Sequence, residues 1–398
     1  MTTPTTSPFT RILHITRNLP PLVGGMERLN WHIADELSRH AQVQLIGPEG
    51  SAALRPAAVL VTEVPLRPLP RFLLASAWQA VAVARRFRPH IVLAGSGLTA
   101  PAAWLAARAS GARAHVYLHG LDAAVQHLAY RALWYPAIRR MDGVIANSQP
   151  TAELARSLGV AAEKIGIVHP GVTLPAAAQS AAALQDFRQR HQLGDKRLLL
   201  SVGRLTTRKG LREFVQHALP AIVQAAPDTL LAVVGEAPAD SLHASVQTRA
   251  TIQAVADAAG IGQHLRFLGV ITNPQELAAA YESAALHIFP VRHLPGDPEG
   301  FGMVAIEAAA HGVPTVAFAT GGIVDAVAPG QSGHLVAPGD YPALGEAALH
   351  VLADGPGAWQ APARAFAAQF AWPAMGQKLG NILQAGINPQ VKTFPSQP

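Results

Sequence analysis

Between residues 10 and 171, short apolar runs alternate with longer stretches in which apolar residues recur every three or four positions. TRILHIT (10–16), AQVQLIG (41–47), AAVLVTEV (57–64), PHIVLAG (89–95), ARAHVYLHG (112–120), DGVIANS (142–148) and EKIGIVHPG (163–171) read as strands. PPLVGGMERLNWHIADELSRH, LLASAWQAVAVARRF and TAELARSL carry the helical period between them. Residues 171–195 break the rhythm. GVTLPAAAQSAAA is rich in Pro, Ala and Ser, and a helix over LQDFRQRHQL follows it. The alternation then restarts with KRLLLSVGRL, DTLLAVVGE, HLRFLGV, ALHIFPV, VPTVAFAT and SGHLVAPG. Strands alternating with helices imply βαβ units and parallel sheets. The pattern therefore predicts two successive doubly wound α/β domains, 1–175 and 176–368. It also predicts a last helix over 369–385 that crosses back to the N-terminal domain, and a loose tail over 386–398.

A chain of 398 residues fits two cores better than one. It has no cysteine, which excludes disulfides, thiolate metal sites and cysteine nucleophiles. The first residues lack a basic segment followed by an apolar one, so no signal peptide is expected. The longest uncharged run, IVLAGSGLTAPAAWLAA, approaches membrane length, but Gly, Ser, Thr and Pro cut it into strand, loop and helix. Residues 1–185 hold 17 Lys and Arg against 9 Asp and Glu, whereas residues 186–398 hold 14 against 16. A basic first half beside a slightly acidic second half suggests different partners for the two.

Candidate chemistry gathers in three loops that would sit beyond strand carboxyl ends, where helix N-termini attract anions. In LPPLVGGMER, Gly24 and Gly25 follow the first strand and open a helix. The spacing is not a dinucleotide fingerprint, so either a simple turn or a phosphate approach would account for it. In SVGRLTTRKG, Arg204 ends a strand and Lys209 follows five residues later, a pair suited to clamping a diphosphate. Arg208 reads as solvent-facing. In PEGFGMVAIEAAAHGVP (298–314), Glu299 stands before a Gly-Phe-Gly turn and Glu307 interrupts a run otherwise apolar on every face. A carboxylate in such a run needs hydrogen-bond donors, which ribose hydroxyls would supply. A helix starting near Gly302 would offer the N–H groups of Phe301, Gly302, Met303 and Val304 to an anion.

These motifs, in order, resemble the retaining glycosyltransferases of family 4. Glu-x7-Glu in EGFGMVAIE, SVGRLTTRKG some 90 residues upstream and TGG at 320–322 carry the resemblance. GGMER, VIANSQPTAELARSLGV, VHPGV, RFLGVITNPQELAAAYESA and GGIVDAVAPGQSGHLVAPGD extend it over roughly residues 9–385. The resemblance implies the GT-B fold, two Rossmann-like doubly wound parallel-sheet domains facing across a cleft. It implies transfer of a hexose from a nucleotide-diphosphate sugar (a UDP-sugar or GDP-mannose) to an acceptor hydroxyl, with retention, in cell-surface glycan or glycolipid synthesis. Arg204 and Lys209 would neutralise the leaving diphosphate, and Glu299 would approach the sugar. Glu307 would hold the ribose, and Gly300, Phe301, Gly302, Met303 and Val304 would support sugar and phosphate. The main chain at Val270 would meet the nucleobase, Gly25 would close over the diphosphate, and His119 would sit by sugar and acceptor. Asn147 fits the pattern too, with capping of the next helix as its plain role.

No cofactor is expected beyond the sugar nucleotide, and no metal: Asp297 and Glu299 in GDPEG make a poor metal site. One departure is the long loop FPVRHLPGDPEGFG, in which Arg292 and His293 stand within reach of sugar or acceptor; Glu236 in VVGE is another. The basic N-terminal half suits a glycan or lipid-linked acceptor and an anionic membrane surface, which implies a cytoplasmic protein peripheral to the membrane. RPLPRFLLASAWQAVAVARRFRPH fits either an interfacial helix with basic ends or a helix packed on the sheet. A sugar-nucleotide epimerase on the same fold and a non-catalytic sugar-nucleotide-binding subunit are the rival readings. No basic-aromatic module points to nucleic acid.

Overall fold

The computed structural model describes residues 10–237 and 246–385. The tail expected over 386–398 lies outside them. The chain divides into two compact units. One holds the residues up to Gly171 and those from Trp372 onward, and the other is Val172–Ala371.

The first unit is built on seven strands: β1 (Thr10–Ile15), β2 (Ala41–Pro48), β3 (Leu60–Val64), β4 (Ile91–Ala94), β5 (Arg113–Leu118), β6 (Gly143–Ala146) and β7 (Ile165–Ile167). They lie in the order β3-β2-β1-β4-β5-β6-β7, every pairing parallel. The second unit has β8 (Arg197–Val202), β9 (Thr229–Val234), β10 (Leu265–Gly269), β11 (Ala284–Phe289), β12 (Thr315–Phe318) and β13 (Gly333–Val336). Their order is β10-β9-β8-β11-β12-β13, again all parallel. Parallel strands covered on both faces must be apolar throughout. Four of them, β4, β6, β9 and β12, are buried at every position.

In each unit the strand order reverses at one seam, between β1 and β4 and between β8 and β11. Helices leave opposite faces of the sheet there, which opens a crevice beyond the strand carboxyl ends. That crevice is where the loops singled out in the sequence fall.

The run IVLAGSGLTAPAAWLAA becomes β4, a short turn and the helix Ala100–Ser110. No helix among the described residues is long and apolar enough to cross a membrane. The helix Leu69–Phe87 does pack on the sheet, burying Phe72, Ala80, Val83 and Ala84. Its opposite stripe leaves Leu74 75% and Trp78 70% exposed. The last described helix, Trp372–Gln384, belongs to the first unit and packs on Gly25–Ser38. Its Trp372 ring stacks 3.8 Å from that of His32.

Candidate active site

In the second unit the site is built on the carboxyl ends of β8 and β11. The chain leaving β8 makes a short turn over Thr207–Lys209, and the Thr206 side chain caps it by accepting from the Lys209 N–H. The turn is tied to its neighbours by Leu205 N–H donating to the Glu236 carbonyl and Arg292 N–H donating to that of Arg208. This sets the Lys209 ammonium 4.6 Å above the Phe289 ring, at the end of β11.

The chain leaving β11 runs through Asp297 and Glu299 to the helix Met303–Ala310. Its backbone is fixed by the Thr-Gly-Gly turn after β12. Gly322 N–H donates to the Glu299 carbonyl at 2.9 Å, and any Cβ on Gly322 would overlap the Gly300 carbonyl. Here glycine is required by close approach of two backbones. Gly302 is required for another reason. It starts the helix at φ 89°, and a Cβ would stand 2.8 Å from the Phe289 ring. No side chain caps that helix, so its first N–H groups keep their donor capacity.

Glu299 joins the two loops. One carboxylate oxygen accepts from Lys209 Nζ at 2.8 Å and from Arg208, whose guanidinium also pairs with Asp297 at 3.2 Å. Burial alone would raise the Glu299 carboxyl, but Lys209 and Arg208 overcome it and hold it at about 2. Burial pulls the Lys209 ammonium below its ordinary value; Glu299 opposes this, and Arg208 and Arg204 add to it. The crevice thus holds an ionised carboxylate under a group of three cations, next to an uncapped helix N-terminus.

Arg208 corrects the sequence reading. It is not solvent-facing: its side chain is only 14% exposed and spans Asp297 and Glu299. Nothing local signals this, because its partners lie some 90 residues away. Arg204 stands on the same loop, exposed, with no hydrogen bond or ion pair to a described residue. Arg292 is tied to Glu213 at 3.0 Å, while His293 is exposed.

Glu307 lies on the helix behind that N-terminus and accepts from the Tyr281 hydroxyl at 3.1 Å. The run around it is not buried on every face. Met303, Val304 and Glu307 form a half-exposed stripe at helical spacing, while Ala305, Ile306 and residues 308–310 are buried. The charge therefore sits on the one side of the helix that is open. Val270, 61% exposed, follows β10, two strands from β8.

Gly25 and His119 belong to the first unit, at loops after β1 and β5. Gly25 is exposed and is the first residue of its helix, which no side chain caps. His119 is 8% exposed and donates through Nε2 to the Gly95 carbonyl at 2.8 Å, which leaves Nδ1 as the ring atom for a ligand. Its own N–H is held by Asp122. Asn147 does not cap the next helix. Ser148 does, its hydroxyl accepting from the Thr151 N–H at 3.2 Å.

Two Rossmann-like units of this topology define the GT-B architecture. Solved structures agree: Anabaena HepE in complex with UDP superposes with a TM-score of 0.78 over 94% of this chain and 100% of its own, at 20% identity. The family model for group 1 glycosyl transferases matches residues 184–365, and that for glycosyltransferase family 4 matches residues 23–174. The chain belongs to the group 1, family 4 glycosyltransferases. Among curated relatives, the GDP-mannose-dependent alpha-(1-6)-phosphatidylinositol monomannoside mannosyltransferase of Mycobacterium tuberculosis is 27% identical over 94% of this chain and 98% of its own. The Mycolicibacterium smegmatis protein of that name is 34% identical over 46% of each chain.

Proposed function

We propose that the protein transfers a hexose from a nucleotide-diphosphate sugar, a UDP-sugar or GDP-mannose, to an acceptor hydroxyl with retention at the anomeric carbon. The observation that carries this reading is the cationic crevice of Arg204, Arg208 and Lys209 beside an uncapped helix N-terminus at the β8/β11 seam. Cleaving a glycosyl–phosphate bond builds positive charge on the sugar and negative charge on the departing diphosphate. Fixed donors aimed at the leaving group stabilise that charge without reorganising. Arg204 and Lys209 serve the diphosphate, Glu307 the ribose hydroxyls and Glu299 the transferred sugar, with Arg208 positioning Glu299. His119 and Gly25 keep the roles that the family resemblance implies for them. The reaction uses no metal and no further cofactor, because the charge a metal would neutralise is met by side chains. Asp297 and Glu299, the nearest carboxylates, are themselves engaged by Arg208 and Lys209.

The acceptor is a glycan or a lipid-linked molecule, and the protein works at the cytoplasmic face of an anionic membrane. Residues 66–141 hold ten arginines and one acid, Asp122. The exposed Leu74 and Trp78 lie between Arg71 and Arg85 on one helix. Such a surface is suited to an anionic interface.

Proton NMR of the sugar released from UDP-glucose or GDP-mannose, with EDTA present, tests the reading. The α-anomer should appear first. Initial release of the β-anomer would refute retention, and an absolute need for a divalent cation would refute metal independence.

A further inference from the structure

A second basic site stands at the opposite end of the first unit's sheet. On the face of β1 and β2 that the helix Leu69–Phe87 covers, Leu13, Ile15 and Ile46 near the carboxyl end are fully buried. Toward the amino end the same face turns polar, with Arg11 on β1 and Gln42 and Gln44 on β2. The parallel register sets Arg11 beside Gln42 and Leu13 beside Gln44. Gln42 is exposed and Arg11 and Gln44 are half-buried, so the helix's cover ends here and the polar end of the face is open to solvent. The three polar residues line an open surface concavity of about 600 Å³, together with Val83, Arg86, Phe87 and Arg88 at the end of the helix. No carboxylate lines it among the described residues.

The backbone supplies an independent sign. Arg88 ends the helix in the left-handed region, at φ 49° and ψ 61°, a position usually given to glycine. A long side chain held there departs from the ordinary choice, and such outliers gather at binding sites. The Arg88 carbonyl accepts from Arg11 Nε at 2.8 Å, which latches the first strand to the helix end. The helix dipole accounts for cations in its last turn, but not for Arg11, Gln42 and Gln44 on the sheet.

We propose that this concavity binds a phosphate group. Arg11, Arg86 and Arg88 supply guanidinium forks suited to phosphate oxygens, and Gln42 and Gln44 supply neutral amide donors. The strand length places it roughly 15 Å from the loops at the carboxyl end, so it is not part of the transfer site. The phosphate comes either from a small soluble molecule or from an anionic lipid headgroup. Neither source depends on the donor reading above.

The test compares the wild-type protein with an Arg11→Gln, Arg88→Gln double variant. An Arg55→Gln, Arg156→Gln variant serves as the charge-matched control. Calorimetry with inorganic phosphate reads the soluble source. Co-sedimentation with phosphatidylglycerol vesicles, against phosphatidylcholine vesicles, reads the lipid source. A loss of tenfold or more in the pocket variant alone supports the site, and the arm in which it occurs names the source. Binding within twofold of wild type in both arms, or an equal loss in the control, overturns it. UDP or GDP binding, measured on the same variants, should match wild type and shows that the pocket variant is folded, while its thermal midpoint should fall only by what the exposed Arg11–Arg88 hydrogen bond contributes.

Discussion

Replacing Lys209 with Met tests the crevice most sharply, because the substitution keeps an apolar stem over Phe289 and removes only the charge. In the folded protein the ammonium bonds Glu299 at 2.8 Å, with side-chain exposures of 19% and 12%. A hydrogen bond to a charged partner this well covered contributes about 1.5–3 kcal/mol. Removing the ammonium leaves Glu299 with Arg208 alone, and Arg208 is shared with Asp297. The sign with pH follows from Glu299. Its folded value, about 2, lies below the unfolded one near 4.5, so the stability it contributes is present above 4.5 and lost as pH falls through 2. Urea unfolding should therefore show a net loss for the variant at pH 7 that is smaller than the bond's roughly 1.5–3 kcal/mol, because the desolvation that lowers the Lys209 ammonium is relieved with it, and a smaller loss still at pH 3. Turnover should fall more than stability explains. A donor aimed at a developing anion contributes roughly a hundredfold to a thousandfold in rate. A variant no less stable than wild type at pH 7, or one turning over within about threefold, would refute the reasoning.

Gly302→Ala should cost about 2 kcal/mol or more in urea unfolding, since it meets both the positive φ and the Phe289 ring. Glu307→Ala should weaken nucleotide binding tenfold or more by calorimetry, with the thermal midpoint little changed because the stripe it occupies is open. Burial holds His14 and His115 at about 4 and His287 at about 3, below the ordinary 6.5. The unfolded chain therefore binds protons first as pH falls. Stability should decline from pH 6.5 toward 4 by up to about 1.4 kcal/mol per pH unit for each of the three; a flat urea midpoint over that range would contradict it. Trp78→Ser should reduce co-sedimentation with anionic vesicles, while leaving nucleotide binding unchanged.

The strands were legible because buried parallel strands are continuous apolar runs, and each of the thirteen falls within or beside a run picked out by that rule. The seams were less legible, since strand order depends on long-range pairing that no local pattern records. Among site residues, Lys209 and Glu299 could be named separately, but not their mutual bond, which joins positions 90 residues apart. Arg208 was misread for the same reason: beside Thr, Thr and Lys it resembles any solvated loop cation until Asp297 and Glu299 are brought to it. Glu307 looked enclosed because hydropathy does not tell which side of a helix faces the crevice. Asn147 and Ser148 are both good caps by residue type, and only the backbone at the helix start decides between them. The polar end of the β1–β2 face also stayed hidden. Arg11, Gln42 and Gln44 look unremarkable one at a time, and they become a site only when register sets them side by side.

The central claim is that the β8/β11 crevice binds the diphosphate of a nucleotide donor without metal. Calorimetry with UDP and with GDP in the presence of EDTA, on the wild-type protein and on Lys209→Met, tests it directly. The account predicts that one of the two nucleotides binds, and that the variant binds it at least tenfold more weakly. Equal binding by variant and wild type, or binding only when a divalent cation is restored, would contradict it.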